Sequence, residues 1–362
     1  MVRKPLVSLA MAALSVAGLS LPAPDAHADA KPDAHAAAKP DARTAAKPDA
    51  HAAAKPEAHA DAEAAGWAGP DPARLARAHG FYADPAAHPD EWVAANGDDP
   101  RAEPIRAAMV GRPGARWFGN WSGDIESAVD AYVSAAAAVH QVPMLVAYNI
   151  PDRDCGGASG GGAGTPAAYR EWIDAFAAGV GGRPALVIVE PDSLAQAYAG
   201  CIPDAGELQT RFDLIAYALD AFDRHAWTYA DGGNAHWWPA AEMAQRLNRA
   251  GVVNAHGVAI NVSNFYPTAE STAYGDAVRS GTGGKPYLID TSRNGAGGNP
   301  GEWCNPPGAR LGAPSSVPSP GTGAEFLVWV KVVGDSDGPC GAGPGIPAGT
   351  FSPDLAMGLI GG

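Results

Sequence analysis

The sequence predicts an α/β fold, a TIM-like parallel barrel of alternating strands and helices. Short apolar runs of strand length recur between residues 115 and 330, amphipathic helical patterns lie between several of them, and polar residues follow each run directly. The runs are Ala115–Phe118, Val142–Tyr148, Ala185–Val189, Trp227–Ala230, Gly257–Val262, Tyr287–Asp290 and Phe326–Val330. Because a barrel of this class has about eight strands, either the barrel is distorted or one strand is missed.

The residues before the barrel predict two segments outside it. Residues 1–28 have a basic start, an apolar stretch from Leu6 to Leu21 and a small-residue cleavage site at Ala26–Ala28. This pattern predicts a cleaved signal peptide and a secreted, extracellular protein. Residues 29–65 repeat variants of AKPDAHAA, which supply too little apolar surface to bury. We expect a disordered spacer there, because nothing fixes its histidines in a metal-binding geometry.

Residues 66–362 are expected to form one domain, and its helices can be placed by their apolar spacing and caps. Four helices are predicted. Two have both ends placed, at residues 124–140 with Asp124 as cap and at Leu208–Phe222, and two have only their starts placed, at Thr165–Pro166 and near Pro239. The glycine- and proline-rich stretches 295–325 and 334–350 are expected to be ordered surface loops.

Charge and cysteine content exclude several classes of function. The net charge of −14 argues against nucleic acid and anionic membranes as partners. The four cysteines have no zinc-binding spacing, and an even number in a secreted chain suggests two disulfides. Sequence order favours Cys155–Cys201 and Cys304–Cys340.

The polar residues after the second and third runs are the strongest functional signal. Glu190 and Asp192 follow a buried strand that Pro191 ends, and Asp152–Cys155 precede a glycine-rich loop. The other runs also end in polar residues, so charged groups gather at the carboxyl ends of the strands, where barrel enzymes place their sites.

The expected site combines carboxylates with tryptophans, a combination that points to glycoside hydrolysis. The sequence contains no phosphate loop, no G-x-S-x-G elbow and no HExxH motif. In that reaction one protonated acid donates to the leaving oxygen, and nearby acids raise its pKa. The glycine-rich loop lacks a Lys-Ser/Thr ending and fits a mobile flap at the active site.

The segments YNIPDRDCGGASGGG and LVIVEPDSL resemble the two signature motifs of glycoside hydrolase family 6, the inverting cellulases. The resemblance extends through DGGNAHWW, GVAINVSNFY, IDTSRNG, GEWCN and WVKVVGDSDG, over residues 80–345. It implies a distorted seven-stranded barrel that hydrolyses β-1,4-glucosidic bonds with inversion and needs no cofactor or metal. The disulfides of the family coincide with the two pairs suggested by sequence order.

The resemblance also implies roles for individual residues. Asp192 matches the general acid, and Asp154 matches the acid that raises the pKa of that donor. Tyr148 matches a tyrosine beneath the distorted sugar, and Asp337 matches the aspartate usually proposed as base. The expected substrate-binding residues are Trp117, Asp231, Trp237, Asn261, Trp303, Lys331 and Asp335.

Two positions depart from the family pattern. Asp335 replaces a glutamate, which could weaken a sugar contact, and Asn234 replaces a histidine. The family contains endoglucanases with open clefts and cellobiohydrolases with roofed tunnels. Only residues 295–325 are long enough for a partial roof, which favours an endo-β-1,4-glucanase. We expect a monomer that acts on cellulose or soluble β-1,4-glucan. The alternatives are a cellobiohydrolase and an inactive β-glucan-binding relative.

Overall fold

A computed structural model describes residues 71–197, 201–202, 204–222, 226–299 and 301–361. The predicted signal peptide and spacer lie outside the described residues. Within these ranges, no helix combines the length and the apolar character needed to cross a membrane.

Seven parallel strands form one curled sheet in chain order, which confirms the predicted fold class. The strands are β1 (Arg116–Phe118), β2 (Met144–Ala147), β3 (Ala185–Val189), β4 (Ala226–Asp231), β5 (Gly257–Ile260), β6 (Tyr287–Asp290) and β7 (Phe326–Val328). Each strand overlaps its predicted run. Because every strand is parallel to its neighbours, all seven carboxyl ends meet at one end of the sheet.

The helices lie before, between and after the strands in the chain. They are α1 (Pro72–His79), α2 (His88–Ala95), α3 (Ala102–Met109), α4 (Ile125–Ala138), α5 (Pro166–Val180), α6 (Ser193–Gln196), α7 (Ala205–Asp220), α8 (Ala240–Arg249), α9 (Thr268–Gly281) and α10 (Pro353–Ile360). The four predicted helices correspond to α4, α5, α7 and α8. Asp124 and Thr165 cap α4 and α5 as expected, accepting bonds from Ser127 N and Ala168 N.

Strand residues alternate between two apolar layers. In β3, Leu186 and Ile188 join the inner cluster with Trp227. Val187 and Val189 instead join the outer cluster, which contains the apolar faces of the surrounding helices. Both faces of the sheet are therefore buried, as a parallel sheet requires.

Part of the stretch 295–325 lies along the side of the sheet and does not cover its carboxyl end. Ser316 pairs antiparallel with Leu327 of β7, and the Ser315 hydroxyl donates to Pro113 O at 2.8 Å. Farther along, Pro318 O accepts a bond from Arg77 of α1. This part of the segment fills the side of the sheet between β7 and β1, leaving only its first residues near the carboxyl ends of the strands.

Both predicted disulfides are present. Cys155 and Cys201 have Cα atoms 5.5 Å apart, and Cys304 and Cys340 have Cα atoms 5.9 Å apart. The first links the glycine-rich loop after β2 to the segment after β3. The second links the loops that follow β6 and β7.

One buried carboxylate connects three strand ends. Asp290, the last residue of β6, accepts bonds from the backbone N–H groups of Ser292, Val330, Ser263 and Lys331 at 2.9–3.1 Å. It has no exposed surface. Burial raises the pKa of Asp290, and the hydrogen bonds from Ser292, Ser263 and Lys331 oppose that rise.

We predict that Asp290→Asn lowers the free energy of unfolding by about 3 kcal/mol or more, because an amide NH₂ would face buried N–H donors. Urea unfolding followed by intrinsic fluorescence measures this loss. Asp354→Asn is the matched control, since the Asp354 side chain is 82% exposed and should tolerate the change. Equal stability of the two variants would contradict a structural role for Asp290.

Candidate active site

The predicted acids converge on Asp192 at the carboxyl end of the sheet. The pKa of Asp192 is raised first by burial and then by the charges of Asp231, Asp154 and Asp337, while Lys331 opposes the shift. The net shift is well above the ordinary value. Four predicted site residues are thus near enough to act on one carboxyl, and the acidic ones favour its protonated form.

Local backbone geometry directs Asp192 into this cluster. Asp192 precedes α6 in a left-handed conformation, with φ of +70°. Its N–H donates to Asp231 Oδ2 at 3.0 Å. Within the described part of the chain its carboxyl has no hydrogen-bond partner, and the residue is half-buried. The proton on Asp192 is therefore available to a ligand in the cleft.

Asp231 is a second acid with an altered pKa. Its Oδ2 accepts from Asp192 N and Gly233 N, and burial raises its pKa to about 7. Its Oδ1 is buried, with no partner among the described residues. A negative charge on Asp231 favours the protonated form of Asp192, so the two carboxyls act together.

Asp154 is fixed from two sides. Ser159 N donates to Oδ2 at 2.8 Å, and Gln196 Nε2 donates to Oδ1 at 2.9 Å. Gly157 packs so closely that a Cβ there would lie 2.7 Å from Oδ2. Since Gln196 ends the helix that follows Asp192, the hydrogen bond fixes one carboxylate relative to the other. Sequence reasoning missed Gln196, because only its position one helical turn after Asp192 could have indicated the contact.

Aromatic side chains form the wall beside these acids. The rings of Trp117 and Tyr148 meet edge to face with centroids 5.1 Å apart, and Trp117 Nε1 donates to Val330 O at 2.7 Å. The Arg153 guanidinium lies 4.8 Å from the Tyr148 ring centroid. It also donates to Tyr148 O and Ser159 O, and thereby connects the end of β2 to the glycine-rich loop.

Asp337 has a different electrostatic environment. Arg293 Nη1 contacts both of its oxygens, at 2.9 and 2.7 Å, and Lys331 Nζ lies 3.2 Å from Oδ1. Burial alone would raise the pKa of Asp337, but the two cations lower it below the ordinary value. Asp337 is thus held as a carboxylate of low basicity, which suits charge stabilisation better than direct removal of a proton from water.

Two predicted substrate-binding residues instead bind other parts of the protein. Asn261 has no exposed surface, and its amide bonds Asp290 O and the backbone of Tyr266. It therefore fixes the loop after β5 and has no face toward a ligand, which corrects that expectation. Both carboxylate oxygens of Asp335 lie 2.9 Å from Nδ1 of His88 in α2. A role for Asp335 in binding sugar stays a prediction.

The remaining predicted tryptophans differ in exposure. Trp237 is half-buried and packs beside Gly233, whereas Trp303 is 54% exposed on the loop before Cys304. Their contacts with substrate stay predictions. The described residues contain no group of three or more His, Cys, Asp or Glu side chains that could hold a metal ion.

Glu190 holds the end of β2 against the end of β3. Its carboxylate accepts from Asn149 N at 2.9 Å and Ile150 N at 3.1 Å, and burial raises its pKa to about 7. Its neighbour in sequence, Asp192, faces the cleft. The EPD motif thus places one carboxyl inside the protein as a positioning residue and the other in the site.

A carboxyl whose pKa is raised by burial and by neighbouring acids, bordered by tryptophans at the strand ends of a barrel, defines the chemistry of a glycoside hydrolase. The sequence profile of "Glycosyl hydrolases family 6" matches residues 77–361, and the chain belongs to this family.

Characterised relatives share much of the domain. Endoglucanase 1 of Streptomyces halstedii is 50% identical over 291 residues, which are 78% of this chain and 88% of that protein. Endoglucanase A of Thermobispora bispora is 41% identical over 285 residues, covering 77% of this chain and 61% of that protein. A solved structure of the endoglucanase Cel6 from Mycobacterium tuberculosis is also similar, with a TM-score of 0.72 and 41% sequence identity. The alignment covers 77% of this chain and 95% of that chain, which was solved in complex with methyl-cellobiosyl-4-deoxy-4-thio-β-D-cellobioside.

We predict that Gln196→Ala shifts the pH dependence of kcat on a glycoside substrate. As the expected general acid, Asp192 must be protonated to act, so we expect activity to fall as the pH rises through its pKa. The Asp154 charge raises that pKa. Releasing Asp154 should lower the pKa of Asp192, move the alkaline limb to lower pH and reduce kcat near neutral pH about tenfold.

Gln209→Ala on the surface of α7 is the matched control, because Gln209 bonds Asp213 and Arg249 instead of an acid of the site. A Gln196→Ala enzyme with an unchanged pH profile would exclude a role of Gln196 in positioning Asp154, even if its overall activity were lower.

Proposed function

We propose that this chain is a secreted, monomeric endo-β-1,4-glucanase that hydrolyses internal bonds of cellulose or soluble β-1,4-glucan with inversion. The observation that carries the proposal is the cluster of acids around Asp192, in which burial and the charges of Asp231, Asp154 and Asp337 raise the pKa of Asp192. The named endoglucanases at 41–50% identity support the choice of substrate.

In the proposed reaction the Asp192 proton passes to the glycosidic oxygen as the bond to the anomeric carbon breaks. In the same step water attacks that carbon from the opposite face, inverts its configuration and passes a proton through a second water molecule to the Asp337 carboxylate. Asp154 and Asp231 hold the proton on Asp192 before the reaction. The negative field of the cluster also stabilises the positive charge that develops on the sugar ring.

The electrostatics of Asp337 favour attack by water. Arg293 and Lys331 largely neutralise this carboxylate, which makes it a weak nucleophile toward the anomeric carbon. Its negative charge is still suited to orienting a water molecule. Inversion therefore fits the site better than a covalent glycosyl-enzyme intermediate.

The course of residues 295–325 supports endo cleavage. Its second half lies along the sheet between β7 and β1, and only its first residues are left to cover the carboxyl end. A chain bound in an open cleft can be cut far from its ends, whereas a tunnel accepts an end.

Proton NMR of products from cellohexaose tests the stereochemistry. We expect the α-anomer to appear first, because a single displacement inverts a β-linkage. Initial release of the β-anomer would contradict the mechanism while leaving the substrate assignment intact. Line broadening of the substrate without any product would favour the inactive β-glucan-binding relative.

Loss of viscosity in carboxymethylcellulose, plotted against reducing ends released, tests the mode of attack. Internal cleavage should reduce viscosity steeply after few cuts. A slow fall, with cellobiose as the main product, would identify a cellobiohydrolase instead.

We predict that Asp192→Asn reduces kcat on unactivated β-1,4 bonds by about 100-fold to 10,000-fold, because the amide cannot donate the proton. Binding of cellohexaose should persist, measured by fluorescence titration. Aryl cellobiosides with acidic leaving groups should lose far less activity, since their departure needs little protonation. A variant that retains wild-type turnover on cellohexaose would show that another group is the acid.

A further inference from the structure

Trp121 is an exposed aromatic side chain without a role in the site described so far. It lies in the turn that follows β1, and 55% of its surface is accessible. Only four large apolar side chains are this exposed in the described ranges, and two of them are tryptophans. Single exposed apolar side chains are common on protein surfaces, so only the surroundings of Trp121 can indicate a ligand contact.

The structure holds the Trp121 ring in one orientation. A Cβ at residue 119 would lie 2.3 Å from Cζ3 of Trp121, so the ring lies directly on Gly119 and only glycine fits. The turn beneath it is closed twice, by Ser122 N to Gly119 O at 3.0 Å and by Gly119 N to Ser122 Oγ at 3.1 Å. The ring is therefore preorganised before any ligand binds.

This ring is continuous with the site. The Arg153 guanidinium lies 4.9 Å from the Trp121 ring centroid and 4.8 Å from that of Tyr148, so one cation contacts both aromatics. Asn120, beside Trp121, is exposed and accepts from Arg153 Nη1 through Oδ1 at 3.2 Å. That contact leaves the Asn120 NH₂ group to donate to a hydroxyl above the ring.

We propose that Trp121 and Asn120 form an additional subsite that binds a β-linked glucosyl unit beyond the unit bound at Tyr148. The flat indole presents an apolar surface to the axial C–H groups of the sugar, and the amide meets an equatorial hydroxyl. This inference rests on the proposed function, since it names part of the cleft that holds the same chain.

A structural role for Trp121 gives a different expectation. If the ring only covers Arg153, its loss would loosen the loop that carries Asp154, and every substrate would be affected alike. An outlying subsite matters only for chains long enough to reach it. Substrate length therefore separates the two roles.

The experiment compares kcat and KM of wild type, Trp121→Ala, Trp121→Tyr and Trp121→Leu on cello-oligosaccharides from the shortest one cleaved to cellohexaose. For Trp121→Ala we expect kcat/KM on the longest chain to fall roughly 3- to 10-fold through KM, with the shortest chain unaffected. Tyrosine should restore binding. Leucine, which covers Arg153 but offers no flat face, should not restore it.

Val139→Ala is the matched control, because Val139 is also 55% exposed and lies at the end of α4. A fall in kcat that is equal at all chain lengths, or unchanged kinetics at every length, would overturn the subsite. Should Trp121→Ala fail to fold, the comparison of tyrosine with leucine decides. Absence of hydrolysis by wild type on all chains would instead refute the proposed function.

Discussion

The site depends on buried carboxylates that accept backbone N–H groups from neighbouring strand ends. Glu190 after β3 binds the backbone after β2, and Asp231 at the end of β4 binds Asp192 N after β3. Asp290 at the end of β6 binds the segments after β5 and β7. A parallel sheet fixes its strands only along their ladders, so the loops beyond them need other partners. These carboxylates supply the partners and set the spacing of the residues that face the cleft.

The same burial generates the acid chemistry. A carboxyl that lies deep enough to receive backbone donors also loses solvation, and the pKa values of Glu190 and Asp231 both rise to about 7. At Asp192, the negative charges of neighbouring acids raise the pKa in addition to burial. Asp337 is also buried, but Arg293 and Lys331 reverse the direction of its pKa shift. One region therefore contains a proton donor and a permanent negative charge, and the difference arises from two cations.

The sequence predicts the parts of this arrangement that depend on local pattern. The apolar runs locate all seven strands, and caps such as Thr165 locate the longer helices. Helix α9 escapes such reasoning because TAESTAYGDAVRSG is poor in strong helix formers, and its position depends on Tyr274 and Gly275 packing in the core near Tyr287. The motifs also reveal the acids in the cleft. They do not reveal that Asn261 bonds Asp290 O or that Asp335 contacts His88, because each of these contacts joins residues far apart in sequence.

Backbone strain concentrates where these carboxylates act. In the described part of the chain, nine residues other than glycine have positive φ, and seven of them lie after β2, β3 and β5: Asp152, Asp154, Cys155, Glu190, Asp192, Asn261 and Ser263. Each such conformation costs about 1–3 kcal/mol for a residue with a side chain, so the native contacts must offset a considerable sum. The bonds that Glu190, Asp231 and Asp290 accept occur at these same turns. The buried acids thus stabilise a strained backbone, and the strained backbone in turn directs Asp154 and Asp192 toward one cleft.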